Sequence, residues 1–255
     1  MIRLFRNIRK QLAMENNTSK YLKYAIGEIV LVVIGILIAL QINNWNERRN
    51  DRIEEQKFLT RFEAEITTNI ESISNSIMLN KNRMQRAEFL MKTIDSPELV
   101  ENSPSYFIRS IEHAGYTFYP VISDNTFQEI KSSGKLSLII NEKIRSSLQQ
   151  YYSWWSFDLG QYNFIREDTQ LRYNHEKQGI LSPSQQISMG HFSDSLIYNA
   201  AEAKQVYERM IKKPGFLALL PNIIQGQIEA EGSFGEIKRL AIDLRSMIQK
   251  ELEIR

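Results

Sequence analysis

The hydrophobic positions near the N-terminus form one nearly unbroken run. Residues 29–40 carry no polar side chain, and the run extends over Tyr24–Trp45 (YAIGEIVLVVIGILIALQINNW), where Glu28 is the one charged residue. As an α-helix this stretch rises about 32 Å at about 1.5 Å per residue. That length matches a bilayer hydrocarbon core of about 30 Å, and aromatic residues stand at both edges, as they do at membrane interfaces. The pattern predicts a transmembrane helix over residues 21–45.

Two other structures can contain an apolar run of this kind. A buried core helix usually keeps one polar face, which residues 29–40 lack. A cleaved signal peptide has a short charged region and a small-x-small cleavage pair. Here more than twenty residues precede the run, and it ends in Leu40, Gln41 and Ile42. We therefore interpret the segment as an uncleaved membrane anchor.

Basic residues on the two sides of the predicted span set its orientation. Six precede it and four follow it, and acidic residues count little in the positive-inside rule. The six are Arg3, Arg6, Arg9, Lys10, Lys20 and Lys23, and the four are Arg48, Arg49, Arg52 and Lys57. We predict a single-pass protein of the bacterial inner (plasma) membrane, with residues 1–20 in the cytoplasm and residues 46–255 forming a periplasmic α-helical domain.

The first residues carry a second periodic pattern. Ile2, Phe5, Ile8 and Leu12 recur at intervals of three and four, and basic residues fill the other faces. This pattern is typical of a short amphipathic helix that lies on an anionic inner leaflet. The alternative is a plain basic tail whose only effect is on topology.

After the apolar run the hydrophobic positions take a helical period. Neither Gly nor Pro occurs between Ile36 and Ser96, so the predicted transmembrane helix continues into a long exported helix that ends at Ser96-Pro97. Asn69 and Asn80 interrupt its apolar stripe. We therefore favour a helical-bundle core over a coiled-coil dimer for this stripe.

Further helices follow, and no convincing strand is predicted. Ser103-Pro104 begins a short helix that ends near His113, and the segment YTFYPVIS is expected to be a loop. Asp124 or Asn125 begins the next helix, and Gly134 supplies a left-handed cap.

The C-terminal part is predicted as a long helix, a loop and three more helices. Asn141 begins the long helix, and residues 174–194 form the longest loop. Asp194 caps a helix that ends at Pro214-Gly215. A short buried helix kinked at Pro221 follows, and the turn GSFGE at Gly232 separates it from a final amphipathic helix. The predicted fold is all-α, with one N-terminal transmembrane helix that continues into a long helix and an antiparallel bundle.

Charge and composition exclude several functions. The net charge is +2, but residues 1–45 carry +4 and the remainder carries −2, so the exported part lacks the basic surface typical of nucleic-acid binding. The chain has no cysteine, and therefore no disulfide and no thiolate metal site.

No arrangement of residues indicates catalysis. His175, His191 and Asp194 share one loop region, where they are either a metal site or ordinary surface residues. Glu63, Glu65, Glu229 and Glu231 are expected on solvated faces. Phosphate-binding loops and nucleophile motifs are missing, so we expect no enzymatic activity and no cofactor.

The segment YYSWWSF is the main aromatic feature. Aromatic faces stack on sugars, but aromatic residues at helical spacing are more typical of a core. If Trp155 faces the core, Trp154 points about 100° away from it on a helix. Trp154 is therefore the candidate for a ligand or partner contact.

The stretch KYLKYAIGEIVLVVIGILIALQINNWNE (residues 20–47) resembles the N-terminal signature of a family of uncharacterised single-span membrane proteins of Bacteroidota. The later stretch TFQEIKSSGKLSLI is similar to the body of the same family. The resemblance implies an inner-membrane location and an exported helical domain. It implies no catalytic residue.

Glu28, Gly35, Ala39 and Asn43 share one face of the predicted span. Gly35 and Ala39 form a small-xxx-small pair that permits close approach of another helix. This stripe predicts an interaction or scaffold module that binds an envelope protein or a second copy through the membrane helix. The alternatives are an ion-coupled stator subunit that uses Glu28 and a ligand-sensing envelope domain.

Overall fold

The computed structural model describes residues 18–189 and 197–254. The chain divides into two compact units, Met1–Lys57 and Phe58–Arg255. Within the described residues every regular element is helical, so the predicted all-α fold is confirmed.

Helix α1 (Thr18–Asp95) contains the whole apolar run. It ends at Asp95 because the next residue, Ser96, precedes Pro97, and a residue before proline is disfavoured in the helical conformation. In the second unit its face toward the bundle carries Leu59, Phe62, Ile66 and Ile73, each at most 1 % exposed. The predicted continuation of the first helix into the domain is therefore confirmed.

Two short helices and an extended segment follow α1. Helix α2 (Glu98–Asn102) was not predicted, whereas α3 (Pro104–His113) begins at the expected proline. Residues 115–124 are not helical until α4 (Asn125–Ser132) begins, and we name them the strap. Gly134 has a φ of +70°, the left-handed conformation that glycine adopts without a steric penalty.

Helix α5 (Glu142–Glu176) begins where predicted, since the Asn141 side chain accepts hydrogen bonds from the backbone N–H groups of Lys143 and Ile144. A single 3₁₀ turn (Leu136–Leu138) lies before it. The stretch predicted as the longest loop, residues 174–194, contains the end of α5 and helix α6 (Pro183–Met189), so the prediction is wrong for residues 174–176 and 183–189.

Helix α7 (Ala200–Met210) has a capping box, in which the Asn199 side chain and the Glu202 side chain bond each other's backbone N–H groups. The predicted cap, Asp194, lies outside the described residues. Helix α7 ends before Pro214, as expected, and α8 (Pro214–Glu253) begins there.

The predicted break within the C-terminal region is wrong. Helix α8 runs through Pro221 and through Gly232, which was expected to lie in a turn. Its buried positions continue at helical spacing across both residues: Phe216, Leu220, Ile223, Gln227, Ala230, Phe234, Ile237, Ala241, Leu244 and Ile248. Burial of this continuous face outweighs the local penalties of proline and glycine in a helix.

The second unit contains two hydrophobic clusters. Cluster 1 joins α1, α4, α5 and the C-terminal half of α8, and its largest members include Phe62, Phe127, Tyr151 and Trp155. Cluster 2 joins α1, α2, α3, the end of α5, α6, α7 and the beginning of α8 around Phe107, Tyr173 and Phe216. Burial in these clusters is the main source of stability of the unit.

Candidate functional site

Among the residues that the structure describes, none covers a face of the apolar part of α1. Every large apolar side chain in residues 29–40 is 46–63 % exposed. The helix is long and apolar enough, by length and composition, to cross a membrane. An exposed apolar surface of this extent is typical of an interface with lipid or with another protein.

The predicted packing stripe lies along this exposed helix. Gly35, Ala39 and Asn43 are exposed, and Glu28 is partly buried. A Cβ atom added at Gly35 would meet nothing within 4 Å apart from its chain neighbours and the nearby backbone of its own helix. At about 100° per residue, the four positions fall within about 80° of one another around the helix axis. One continuous helix therefore presents all four on one side.

The second candidate, Trp154, is less exposed than the sequence suggested. It is partly buried against cluster 1, and its ring meets the Trp155 ring edge-on at 5.5 Å between centroids. Trp155 is 7 % exposed, so its predicted core position is confirmed. Trp154 is less exposed than expected because it too packs on the cluster 1 core.

The most ordered polar arrangement joins α1 to the strap. Asn69 Nδ2 donates to the Ser123 carbonyl, and Asn69 Oδ1 accepts from the Ser123 N–H, both at 2.8 Å. Asn80 makes the same two bonds with the backbone of Phe118, again at 2.8 Å. Each asparagine thus satisfies both backbone groups of one strap residue, as a neighbouring β-strand would.

Two further side chains, Ser72 of α1 and Gln227 of α8, also bond the backbone of the strap. Ser72 Oγ accepts from the Val121 N–H at 2.8 Å. On the other side, Gln227 Nε2 of α8 donates to the Tyr116 carbonyl at 3.3 Å. The strap has no regular secondary structure of its own, so these side chains supply the partners that its backbone requires.

Glu65 bonds the last part of the strap and the start of α4, although a solvated face was expected for it; its Oε2 accepts from the Ser123 hydroxyl at 3.3 Å. Its Oε2 accepts from the N–H and the hydroxyl of Thr126, both at 3.0 Å. Its Oε1 accepts from the Tyr152 hydroxyl at 2.6 Å. Burial and the nearby Glu65 carboxylate raise the pKa of Tyr152 well above its ordinary value. The expectation for Glu65 was therefore wrong, because its position on α1 faces α4 and α5.

Tyr151 lies beside this network and is 1 % exposed. Burial raises the pKa of the Tyr151 hydroxyl to about 12, while contacts with Trp155 and Asn69 act in the opposite direction. The hydroxyl is therefore neutral at any physiological pH.

We call the set Glu65, Asn69, Ser72 and Asn80 the polar ladder of α1.

A cavity of about 700 Å³ opens between the strap, α4 and α5. Its wall contains three aromatic residues and three further apolar residues, together with six polar ones. The wall residues are Pro120, Ile122, Asp124, Phe127, Gln128, Lys131, Leu136, Gln149, Gln150, Tyr152, Ser153 and Trp155. Trp154, the sequence-predicted contact, does not line it.

A group of basic residues surrounds His113 at the end of α3. Burial lowers the pKa of His113 to about 4, and the positive charges of Arg83, Arg86 and Lys177 act in the same direction. Glu112 accepts a hydrogen bond from Lys177 Nζ at 2.8 Å. His113 is therefore uncharged at neutral pH.

No group of three or more metal-ligating side chains occurs in the part of the chain that the structure describes. His175 is exposed, with its Nδ1 3.4 Å from a Glu176 carboxylate oxygen. His191 and Asp194, its predicted companions in a metal site, lie outside the described residues.

Sequence reasoning missed the role of the polar ladder and of Gln227. The sequence did contain a signal for the ladder, because Asn69 and Asn80 occupy positions of the apolar stripe and interrupt it. A polar residue at a core position of a helix needs a buried partner. What the pattern did not show was the partner, because the bonded residues lie 38 and 54 positions away.

Comparison with known proteins gives one match. A family model described as "Family of unknown function (DUF6090)" matches residues 28–197, about two thirds of the chain. The match begins inside the apolar run and includes the polar ladder, the strap and the cavity wall. No curated protein and no solved structure matches the chain significantly. The predicted membership of a family of unknown function is thus confirmed, whereas the N-terminal signature and the origin in Bacteroidota stay predictions.

Proposed function

We propose that this chain, which belongs to the family of unknown function (DUF6090), is a membrane-anchored helical interaction module of the bacterial envelope. One observation carries the proposal. The large apolar side chains of residues 29–40 are all exposed on α1, whereas residues 58–94 of the same helix bury one face. An apolar surface without protein neighbours needs an apolar environment, and a bilayer supplies it.

The direction of the anchor follows from charge. The bias of six basic residues before the apolar run against four after it supports a cytoplasmic N-terminus. The helical domain then lies in the periplasm, and the membrane is the inner membrane. Trp45 and Arg49, whose guanidinium lies 5.9 Å from the Trp45 ring, fit the interfacial end of the span.

A first experiment tests the anchor itself. The pair Val33→Arg and Ile34→Arg places two charges at the centre of the apolar run, where each costs about 2.5–3.5 kcal/mol of membrane insertion. We expect the double variant to leave the membrane fraction of expressing cells, while Val33→Leu with Ile34→Leu stays in it. An unchanged distribution of the arginine variant would overturn the anchor.

A second experiment tests association through the helix. Gly35 and Ala39 are one turn apart, so a second helix can approach closely along this face. Gly35→Leu with Ala39→Leu fills that face, and we expect crosslinking to the partner or to a second copy in intact cells to fall severalfold. Val30→Leu with Val33→Leu is the control, because both valines lie at least about 120° from Gly35 and from Ala39 around the helix. Equal crosslinking of both variants would rule out the stripe as the contact.

A further inference from the structure

We propose that the cavity between the strap, α4 and α5 is a binding site for an uncharged, polyhydroxylated molecule of mono- or disaccharide size. This site lies wholly within the second unit, and the proposal does not depend on the membrane anchor or on association through α1. It rests on the size of the cavity, the chemistry of its wall and the way that the wall is held.

The size and the apolar surfaces of the wall fit a small ligand. The volume, about 700 Å³, lies within the usual range of ligand pockets, about 300–1,000 Å³. Phe127 and Tyr152 stack at 4.6 Å between ring centroids, and Trp155 lies on the same wall. All three are more than nine-tenths buried, so the wall that they form is rigid. The small part of these rings that stays exposed offers an apolar surface to the C–H groups of a sugar ring.

The polar part of the wall consists mainly of neutral groups. Gln128, Gln149, Gln150 and Ser153 are all exposed and all line the cavity. Amides and hydroxyls both donate and accept hydrogen bonds, which matches the hydroxyl groups of a sugar. The wall of the cavity thus combines exposed neutral polar side chains with buried aromatic ones.

The two charged groups of the wall have opposite signs. Asp124 and Lys131 balance each other, and Gln128 Nε2 donates to Asp124 Oδ2 at 2.7 Å. A phosphorylated ligand would meet one cation, Lys131, together with the like charge of the Asp124 carboxylate. A fatty acyl chain would use the apolar part of the wall but would form no hydrogen bond with the neutral amides. A neutral polyol is the class of ligand that satisfies both halves of the wall.

The cavity wall is connected to α1 through hydrogen bonds. Tyr152 lines the cavity and donates to Glu65, which also holds Thr126. Ile122 and Asp124 of the strap line it too, and Asn69 bonds the Ser123 backbone between them. A ligand that orders the strap therefore stabilises its bonds with the polar ladder.

The test uses the full-length protein in detergent with the Trp45→Phe substitution, so that Trp154 and Trp155 report by fluorescence. The probes are N-acetylglucosamine and maltose, with glucose 6-phosphate and laurate as ligands of the competing classes. We expect a saturable change of emission with at least one neutral sugar, and slower amide hydrogen exchange in the strap when that sugar is present.

A pair of variants decides whether the signal arises in the cavity. Gln149→Leu with Gln150→Leu removes two amides from the wall, and we expect sugar affinity to fall about tenfold or more. Gln225→Leu is the control, because Gln225 is exposed on α8 and does not line the cavity. Unchanged melting temperatures would show that all variants are folded. Absence of a saturable signal with both sugars, tighter binding of either competing ligand, or equal affinity of both variants would overturn the proposal.

Discussion

Two lengths of helix α1 contrast sharply. Residues 29–40 are apolar on every face and exposed on every face, whereas residues 58–94 are apolar on one face and buried there. The second length also places polar side chains among its core positions, and each of the ladder residues bonds a group of the strap, of α4 or of α5. The part of a helix that packs within its own chain is therefore predicted by the spacing at which apolar residues recur, and not by how many apolar residues it contains.

The contrast is sharpest for two isoleucines of the same helix. Ile66 is fully buried in cluster 1, and Ile34 is 50 % exposed. We expect Ile66→Ala to destabilise the domain by about 2–5 kcal/mol, since it removes buried methyl groups and leaves a cavity. Ile34→Ala should change the stability of the domain by less than about 0.5 kcal/mol. Denaturant unfolding of the full-length protein in detergent measures both, and similar losses would abolish the distinction between the two lengths.

Most helix boundaries could be predicted because their signals are local. Pro97, Pro104 and Pro214 follow or begin helices, Asn141 caps one, and Gly134 adopts its left-handed conformation. These effects involve neighbours within four residues, so a single sequence contains them.

The predictions of a turn within α8 and of a solvated Glu65 were wrong because both regions depend on contacts between residues far apart in the sequence. Pro221 and Gly232 disfavour a helix locally, but the buried face of α8 passes through both. Glu65 resembles any surface carboxylate until α4 and α5 pack against it. The cavity has the same origin, since its wall combines residues 120–136 with residues 149–155. Such pairs depend on tertiary packing, which no local pattern encodes.

The polar ladder gives a second way to test the contrast. Asn69 is 1 % exposed, and Asn69→Leu leaves both backbone groups of Ser123 without their partner. We expect a loss of about 1–3 kcal/mol of unfolding free energy, although leucine is the more apolar residue. Hydrogen exchange should show faster exchange in the strap.

Asn82→Leu is the matched control for this substitution. Asn82 is exposed on the same helix and bonds only the local Arg86 side chain among the contacts described. Its replacement should cost less than about 0.5 kcal/mol. If Asn69→Leu stabilised the domain instead, the polar ladder would be dispensable, and the bundle part of α1 would differ from the apolar part only in exposure.

His113 provides the smallest expected effect and tests how far burial in the bundle controls a charge. Its pKa in the folded protein is about 4, below its ordinary value of 6.5, because of burial and of Arg83, Arg86 and Lys177. The unfolded chain therefore binds the proton first. The contribution to stability is complete above about pH 6.5 and is lost as the pH falls toward 4. His113 is only partly buried, so solvent screening reduces the expected loss to about 1–2 kcal/mol.

Replacement of His113 by glutamine separates this effect from the titration of the carboxylates. We expect His113→Gln to lose less stability than the unmodified protein between pH 6.5 and pH 4, whereas His175→Gln, at an exposed position, should follow the unmodified curve. Thermal unfolding at a series of pH values measures all three. Parallel curves for His113→Gln and the unmodified protein would mean that water reaches the imidazole freely. The surroundings of His113 at the end of α3 would then resemble the ordinary protein surface. Control of polar groups by burial would be limited to the polar ladder of α1 and the strap that it bonds.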